Sequence, residues 1–213
     1  MKRRLEAVLV CSWLATGCTA TSNANDDGAQ VLRALASTLT ADRKDVCVDN
    51  ETTGDAWSIY RAMMALPGTS RPALNWHEPT SLRSPSELSG KQVLNGELRS
   101  DEIVLRRPTQ SGAPLPQAQQ RVLDLAARRL AIKVDDEARP IESWSGAPRL
   151  KPAWWGSNRL NGSCSPRYSF SNPAVTNDLA FVAVTAGHWG TIYAFGKSPS
   201  GWKTIGQWTN WLY

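Results

Sequence analysis

Apolar positions along the chain fall into a few short periodic runs separated by long polar stretches. Val31, Leu32, Leu35 and Leu39 recur at helical spacing and predict an amphipathic helix over about 29–40. Val46-Cys47-Val48 predicts a short strand. Trp57, Tyr60, Met63 and Met64 predict a second short helix, stopped by Pro67-Gly68. Residues 67–92 are rich in Pro, Ser and Gly and read as an irregular surface layer, and Glu102 to Arg107 (EIVLRR) reads as a strand ended by Pro108. Pro114 and Pro116 precede a helix that carries Val122, Leu123, Ala126 and Leu130 on one face, proline being suited to a first helical turn. Asp135 to Asn161 is loop-like and contains Trp144, Trp154 and Trp155.

The last quarter is the most regular. Arg167–Ser171, Leu179–Thr185, Thr191–Phe195 and Trp202–Trp211 are β-rich, and turn chemistry separates them at Asn172-Pro173, Asn177-Asp178, Gly187–Gly190 and Ser198–Gly201. Short strands joined by short polar turns predict an antiparallel meander. Within Leu179–Thr185, Phe181 and Ala183 face one way while Val182 and Val184 face the other, so both sides of this strand are expected to be covered. The expected fold is a single α+β domain from about residue 29 to 213, its helices packed on a C-terminal antiparallel sheet. The closing run, with its Ser-x-Pro opening, apolar strand, Gly-bearing turn and Gly-Trp-Lys hairpin ending in tryptophans, is similar to the C-terminal sheets of uncharacterised exported bacterial proteins. More loosely, Gly201-Trp202-Lys203-x-Ile205 resembles the last strand of cystatin-like α+β folds. These likenesses imply a fold class and no activity.

The N-terminus has a different grammar. Lys2, Arg3 and Arg4 form a positive segment, followed after Glu6 by an apolar run from Ala7 to Ala15. That run lies within the roughly 7–15 residues of a secretory h-region and falls short of the ~20 that cross a bilayer. Leu14-Ala15-Thr16-Gly17-Cys18 follows and resembles the bacterial lipobox, with the leucine one position early. The resemblance implies that residues 1–17 are a signal peptide and that Cys18 is the lipid attachment site at the mature N-terminus. An ordinary secretory signal cleaved after Ala20 or Ala24, or a cytoplasmic chain with an apolar start, are the alternatives. Residues 18–28, small and polar, read as a tether. The expected location is the bacterial cell envelope, lipid-anchored and periplasm-facing, at the outer membrane in preference to the inner.

Charge changes this picture little. The formal net charge is +5, and removing residues 1–17 takes away three of the 24 Lys and Arg and one of the 19 Asp and Glu, which leaves +3. Arg106-Arg107 and Arg128-Arg129 are isolated pairs rather than the clustered basic face of a nucleic-acid binder, so no nucleic-acid partner is expected. Of the four cysteines, Cys11 lies in the signal and Cys18 at the lipid site. Cys47 and Cys164 remain, and in an oxidising compartment they most simply form one disulfide. Closing a loop of about 118 residues would stabilise the fold by roughly 4–5 kcal/mol in the chain-entropy model. The rival reading, a Cys-His zinc site, finds only His77 and His188, which lack CxxC or HxxxH spacing.

Candidate chemistry is sparse. His188, in a Gly-bounded turn beside Trp189, and His77, in Asn75-Trp76-His77-Glu78-Pro79, are the two imidazoles that could serve as a general base. Each also reads as an ordinary turn or loop residue beside a packing tryptophan. Asp135-Asp136-Glu137 lacks the alternating spacing of a calcium loop and reads as a solvated turn. Ten tryptophans are many for 213 residues. Trp154-Trp155 and Trp208/Trp211 could stack on sugar rings, though aromatic core is the simpler use. The chain contains no P-loop, dinucleotide fingerprint, HExxH or GxSxG. No cofactor and no metal site are expected, and no catalytic residue is assigned. Two function classes stay open: a non-enzymatic envelope lipoprotein that meets an envelope protein or glycan partner, and an envelope hydrolase with a histidine base.

Overall fold

The computed structural model describes residues 24–42, 45–65, 76–81, 112–144, 147, 149–153, 167–186, 189–208 and 211–212. The fold is α+β. Its elements in chain order are α1 (Ala24–Leu39), β1 (Val46–Thr52), α2 (Asp55–Ala65), β2 (Trp76–His77), α3 (Gln117–Ala131), a 3-10 turn (Glu142–Trp144), β3 (Leu150–Ala153), β4 (Arg167–Phe170), β5 (Ala174–Val175), β6 (Leu179–Ala186), β7 (Trp189–Ser198), β8 (Gly201–Trp208) and β9 (Trp211–Leu212). The EIVLRR strand candidate lies outside the described residues.

The described strands join one sheet, seven of them in the order β2-β8-β7-β6-β4-β1-β3, with β5 beside β6 and β9 beside β7. β6, β7 and β8 form the expected antiparallel meander, closed at β7–β8 by Pro199-Ser200 and Gly201, whose φ of 105° suits the turn and is readily reached only by glycine. Two strand paths are broken. β4 and β5 both run along β6, and β8 and β9 both run along β7. The meander is not the whole sheet. β1 inserts in parallel between β3 and β4, and β2 adds antiparallel to β8, so the sheet is mixed. β3 arises inside the stretch read as loop. Its Pro152 cannot donate to a ladder, and a strand at the end of the sheet order is where a proline is tolerated.

Both faces of the sheet are covered, as the double-sided apolar pattern of β6 predicts. On one face Val31, Leu32, Leu35 and Leu39 of α1 pack with Val182, Val184, Tyr193, Phe195 and Trp202. On the other, Trp57 and Tyr60 of α2 and Leu123 and Ala127 of α3 pack with Phe181, Ala183, Ile192 and Trp208. Residue parity decides membership: Val182 lies opposite Tyr193 on the α1 face, and Ala183 opposite Ile192 on the α2/α3 face.

Two helices differ from the sequence reading. α1 begins at Ala24, inside the stretch read as tether, because Asp27 has tertiary partners. Its carboxylate accepts hydrogen bonds from Lys197 Nζ (2.9 and 3.0 Å) and from the indole N–H of Trp202 (3.1 Å), and Lys197 also lies 5.4 Å from the Trp202 ring centre. α3 is rotated from its predicted face. Leu123, Asp124, Ala127 and Ala131 are buried, whereas Val122 is 58% exposed. Arg61 of α2 fixes this arrangement by donating to the Ala131 carbonyl at 2.8 Å, where the C-terminal end of a helix dipole favours a cation. No described helix is long and apolar enough to cross a membrane.

Candidate functional site

Strand alternation places the two residues of β2 on opposite faces. Trp76 is fully buried among the α2/α3 aromatics, edge-on to Phe181 at 5.8 Å. His77 lies opposite Gln207, above a polar layer on the α1 face. There Gln207 Oε1 accepts from the Thr80 N–H (3.0 Å) and hydroxyl (2.9 Å), while its amide donates to Thr191 Oγ1 at 3.3 Å. The Thr191 hydroxyl donates to the Trp208 carbonyl at 2.7 Å, and the Tyr193 hydroxyl donates to the Thr80 carbonyl at 2.8 Å. Burial, aided by the neighbouring Tyr168, pushes the Tyr193 phenol far above its ordinary range.

His77 Nδ1 is 3.2 Å from the Gly112 carbonyl. A carbonyl oxygen can only accept, so the contact assigns the proton to Nδ1 and the lone pair to Nε2. Desolvation lowers the ring's pKa from its ordinary value and favours the neutral form. This is the protonation state of a general base. Its hydrogen-bond partner, however, is a backbone oxygen, and Glu78, next in sequence, is exposed. His188 lies outside the described residues.

The acidic run does not converge. Asp135 pairs with Arg139 at 2.5 Å, Asp136 pairs with Arg61, and Asp135 also accepts from the Glu137 N–H at 3.0 Å. That N–H, with Arg139, lowers the Asp135 pKa. Asn172 holds the run in place. Its amide donates to the carbonyls of Asp135 and Glu137, both at 2.8 Å, and its side-chain oxygen accepts from the Thr52 hydroxyl at 2.6 Å. The Trp57 indole donates to the Asn172 carbonyl at 3.0 Å, so one asparagine joins β1, α2 and the loop after α3. Among the described residues no three His, Cys, Asp or Glu side chains group closely enough to hold a metal ion.

The remaining sequence candidates are dispersed. Trp208 is core, edge-on to Tyr60 at 5.6 Å, and offers no stacking platform. Trp211 lies in β9, and Trp154 and Trp155 lie outside the described residues. Arg128 is bound to Asp124 at 2.7 Å, while Arg129 is exposed. Arg106 and Arg107 are outside the described residues, as are Cys18 and Cys164. Cys47 is buried on β1 and is disulfide-bonded.

Sequence reading missed Asp27 and Asn172, because an acid in a small polar run and an asparagine before proline both look like linker and turn chemistry. It also missed the outward face of α3, although a second apolar series, Val122, Leu125 and Ile132, is visible in the chain. No protein-family model matches the sequence, and neither a curated protein nor a solved structure matches it significantly.

Proposed function

We propose that this chain is a lipid-anchored protein of a bacterial envelope, attached through Cys18 and facing the periplasm, whose folded domain serves a binding or structural role. The observation that carries the reading is the N-terminal pattern: three cations, an apolar run too short to span a bilayer, then Gly17-Cys18. The domain's polar chemistry is consistent with it. Asp27, Asn172, Gln207 and Asp136 are all engaged in fastening one element of the fold to another.

Replacing Cys18 by alanine tests the anchor. The expected outcome is a shift from the membrane fraction to the soluble one, with loss of the mass of the attached acyl chains. Unchanged fractionation and unchanged mass would reject it. A second reading, envelope hydrolysis, draws on the neutral His77 with its lone pair on Nε2. It requires that His77→Gln abolish a hydrolytic activity on envelope glycan or peptide while leaving the melting temperature intact.

A further inference from the structure

The large apolar side chains exposed among the described residues are Val122 (58%), Leu125 (57%) and Ile132 (78%), and all three belong to α3 and its C-cap. Helical geometry continues through Ile132, whose backbone is right-handed helical, and Lys133 N–H donates to the Leu130 carbonyl. At 100° per residue, Arg121, Ile132, Leu125, Arg129, Val122 and Lys133 fall within an arc of about 120°, opposite the buried face. Three of the six are apolar and three are cationic. The one acid of α3, Asp124, is buried on the other side and bound to Arg128.

We infer that this face of α3 docks on an anionic lipid bilayer, with Val122, Leu125 and Ile132 entering the headgroup boundary and Arg121, Arg129 and Lys133 meeting lipid phosphates. An apolar stripe flanked by cations is the pattern of helices that lie in a membrane interface. A second copy of the chain is a poor occupant, since face-to-face pairing would oppose like charges. The choice of a bilayer over an acidic protein helix rests on the lipid-anchor reading. Five residues separate Cys18 from the start of α1 at Ala24, a reach of at most about 22 Å, so the anchor would hold the domain against a membrane. Moreover, the first turns of α1 and the loop after α3 both approach the Asn172-Pro173 turn. A Cβ on Gly28 would lie 3.9 Å from Pro173, while the adjacent Asn172 grips the Asp135 carbonyl just after α3.

The test is flotation of the full chain carrying Cys18→Ala, so that no acyl chain contributes, with vesicles of phosphatidylcholine mixed with phosphatidylglycerol and with vesicles of phosphatidylcholine alone. Binding is expected on the anionic vesicles only and should weaken as salt rises. Arg121→Glu with Arg129→Glu, and separately Val122→Ser with Leu125→Ser, should each reduce it at least about tenfold at an unchanged melting temperature. Equal binding to both vesicles, or binding indifferent to both double variants, would overturn the inference. So would absence of vesicle binding together with α3-dependent cross-linking to an acidic envelope protein. The anchor itself is judged from the mass and fractionation of the unmutated chain, so either idea can fail while the other stands.

Discussion

Asp27→Ala removes the fastening between the first turns of α1 and the β7–β8 hairpin. Three contacts go with it, two from the Lys197 ammonium and one from the Trp202 indole. They are not equal in worth. The Lys197 side chain is 34% exposed, so its ammonium can turn to water, and its contribution is discounted to less than ~1 kcal/mol. Trp202 is only 7% exposed, and its N–H would lose its acceptor inside the protein at a cost of about 1–3 kcal/mol. The expected loss is about 2–3 kcal/mol, or ~4–12 °C in melting temperature for a domain of this size. Asp27→Asn keeps an oxygen for the indole and should cost about 1 kcal/mol. Lys197→Met should be mild alone, and combined with Asp27→Ala it should cost less than the sum, since the two changes remove one shared interaction. The assay is thermal unfolding followed by near-ultraviolet circular dichroism. If Asp27→Ala melts within about 1 °C of the parent, the carboxylate does not hold α1 and the argument fails.

Other outcomes follow from the same packing. Trp202→Ala should destabilise the domain by about 3–5 kcal/mol and lower its yield, because it removes a buried ring together with its Asp27 contact; a parent-like melt would contradict this. His77 has a folded pKa below its unfolded value, so the stability it contributes is full above the ordinary value of 6.5 and is lost as pH falls through the lowered one. The melting temperature should therefore fall as pH drops below about 6.5, and His77→Gln should flatten that slope. The disulfide partner of Cys47 is expected to be Cys164, which precedes by three residues Arg167, the position opposite Cys47 on β4. Peptide mapping under non-reducing conditions should recover the Cys47–Cys164 cross-link, and a bond from Cys47 to Cys18 would refute it.

Local chemistry made the C-terminal meander readable. In β6 the apolar residues on both parities announce a strand covered on both faces, and Ser198–Gly201 announces its own turn. What stayed hidden depends on residues far apart in sequence. Nothing within Leu150-Lys151-Pro152-Ala153 signals that Val46 lies beside Leu150. Val122 and Leu123 are adjacent and both apolar, so periodicity alone cannot say which enters the core; Trp76, Phe181 and Trp208 decide it by offering a surface to Leu123. The candidate chemistry follows the same rule. The His77 tautomer is set by a carbonyl 35 residues away, and the role of Asp27 by a lysine 170 residues away.

The parallel insertion of β1 between β3 and β4 dictates an order of events during synthesis. β1 ends at Thr52, and the first strand that flanks it, β3, begins at Leu150, about 98 residues later. At roughly 5–20 residues per second, β1 waits about 5–20 s before either of its ladder partners exists. Throughout that interval both of its hydrogen-bonding edges lack their native neighbours, and the Val46-Cys47-Val48 run is open to pairing with other nascent chains. α1 waits longer, because Lys197 and Trp202 emerge later still. Native structure therefore has to spread backwards, from the late hairpins to the early segments. A holdase that covers residues 46–48 until the C-terminal strands have emerged should raise the yield of folded protein more than one that covers the C-terminal strands.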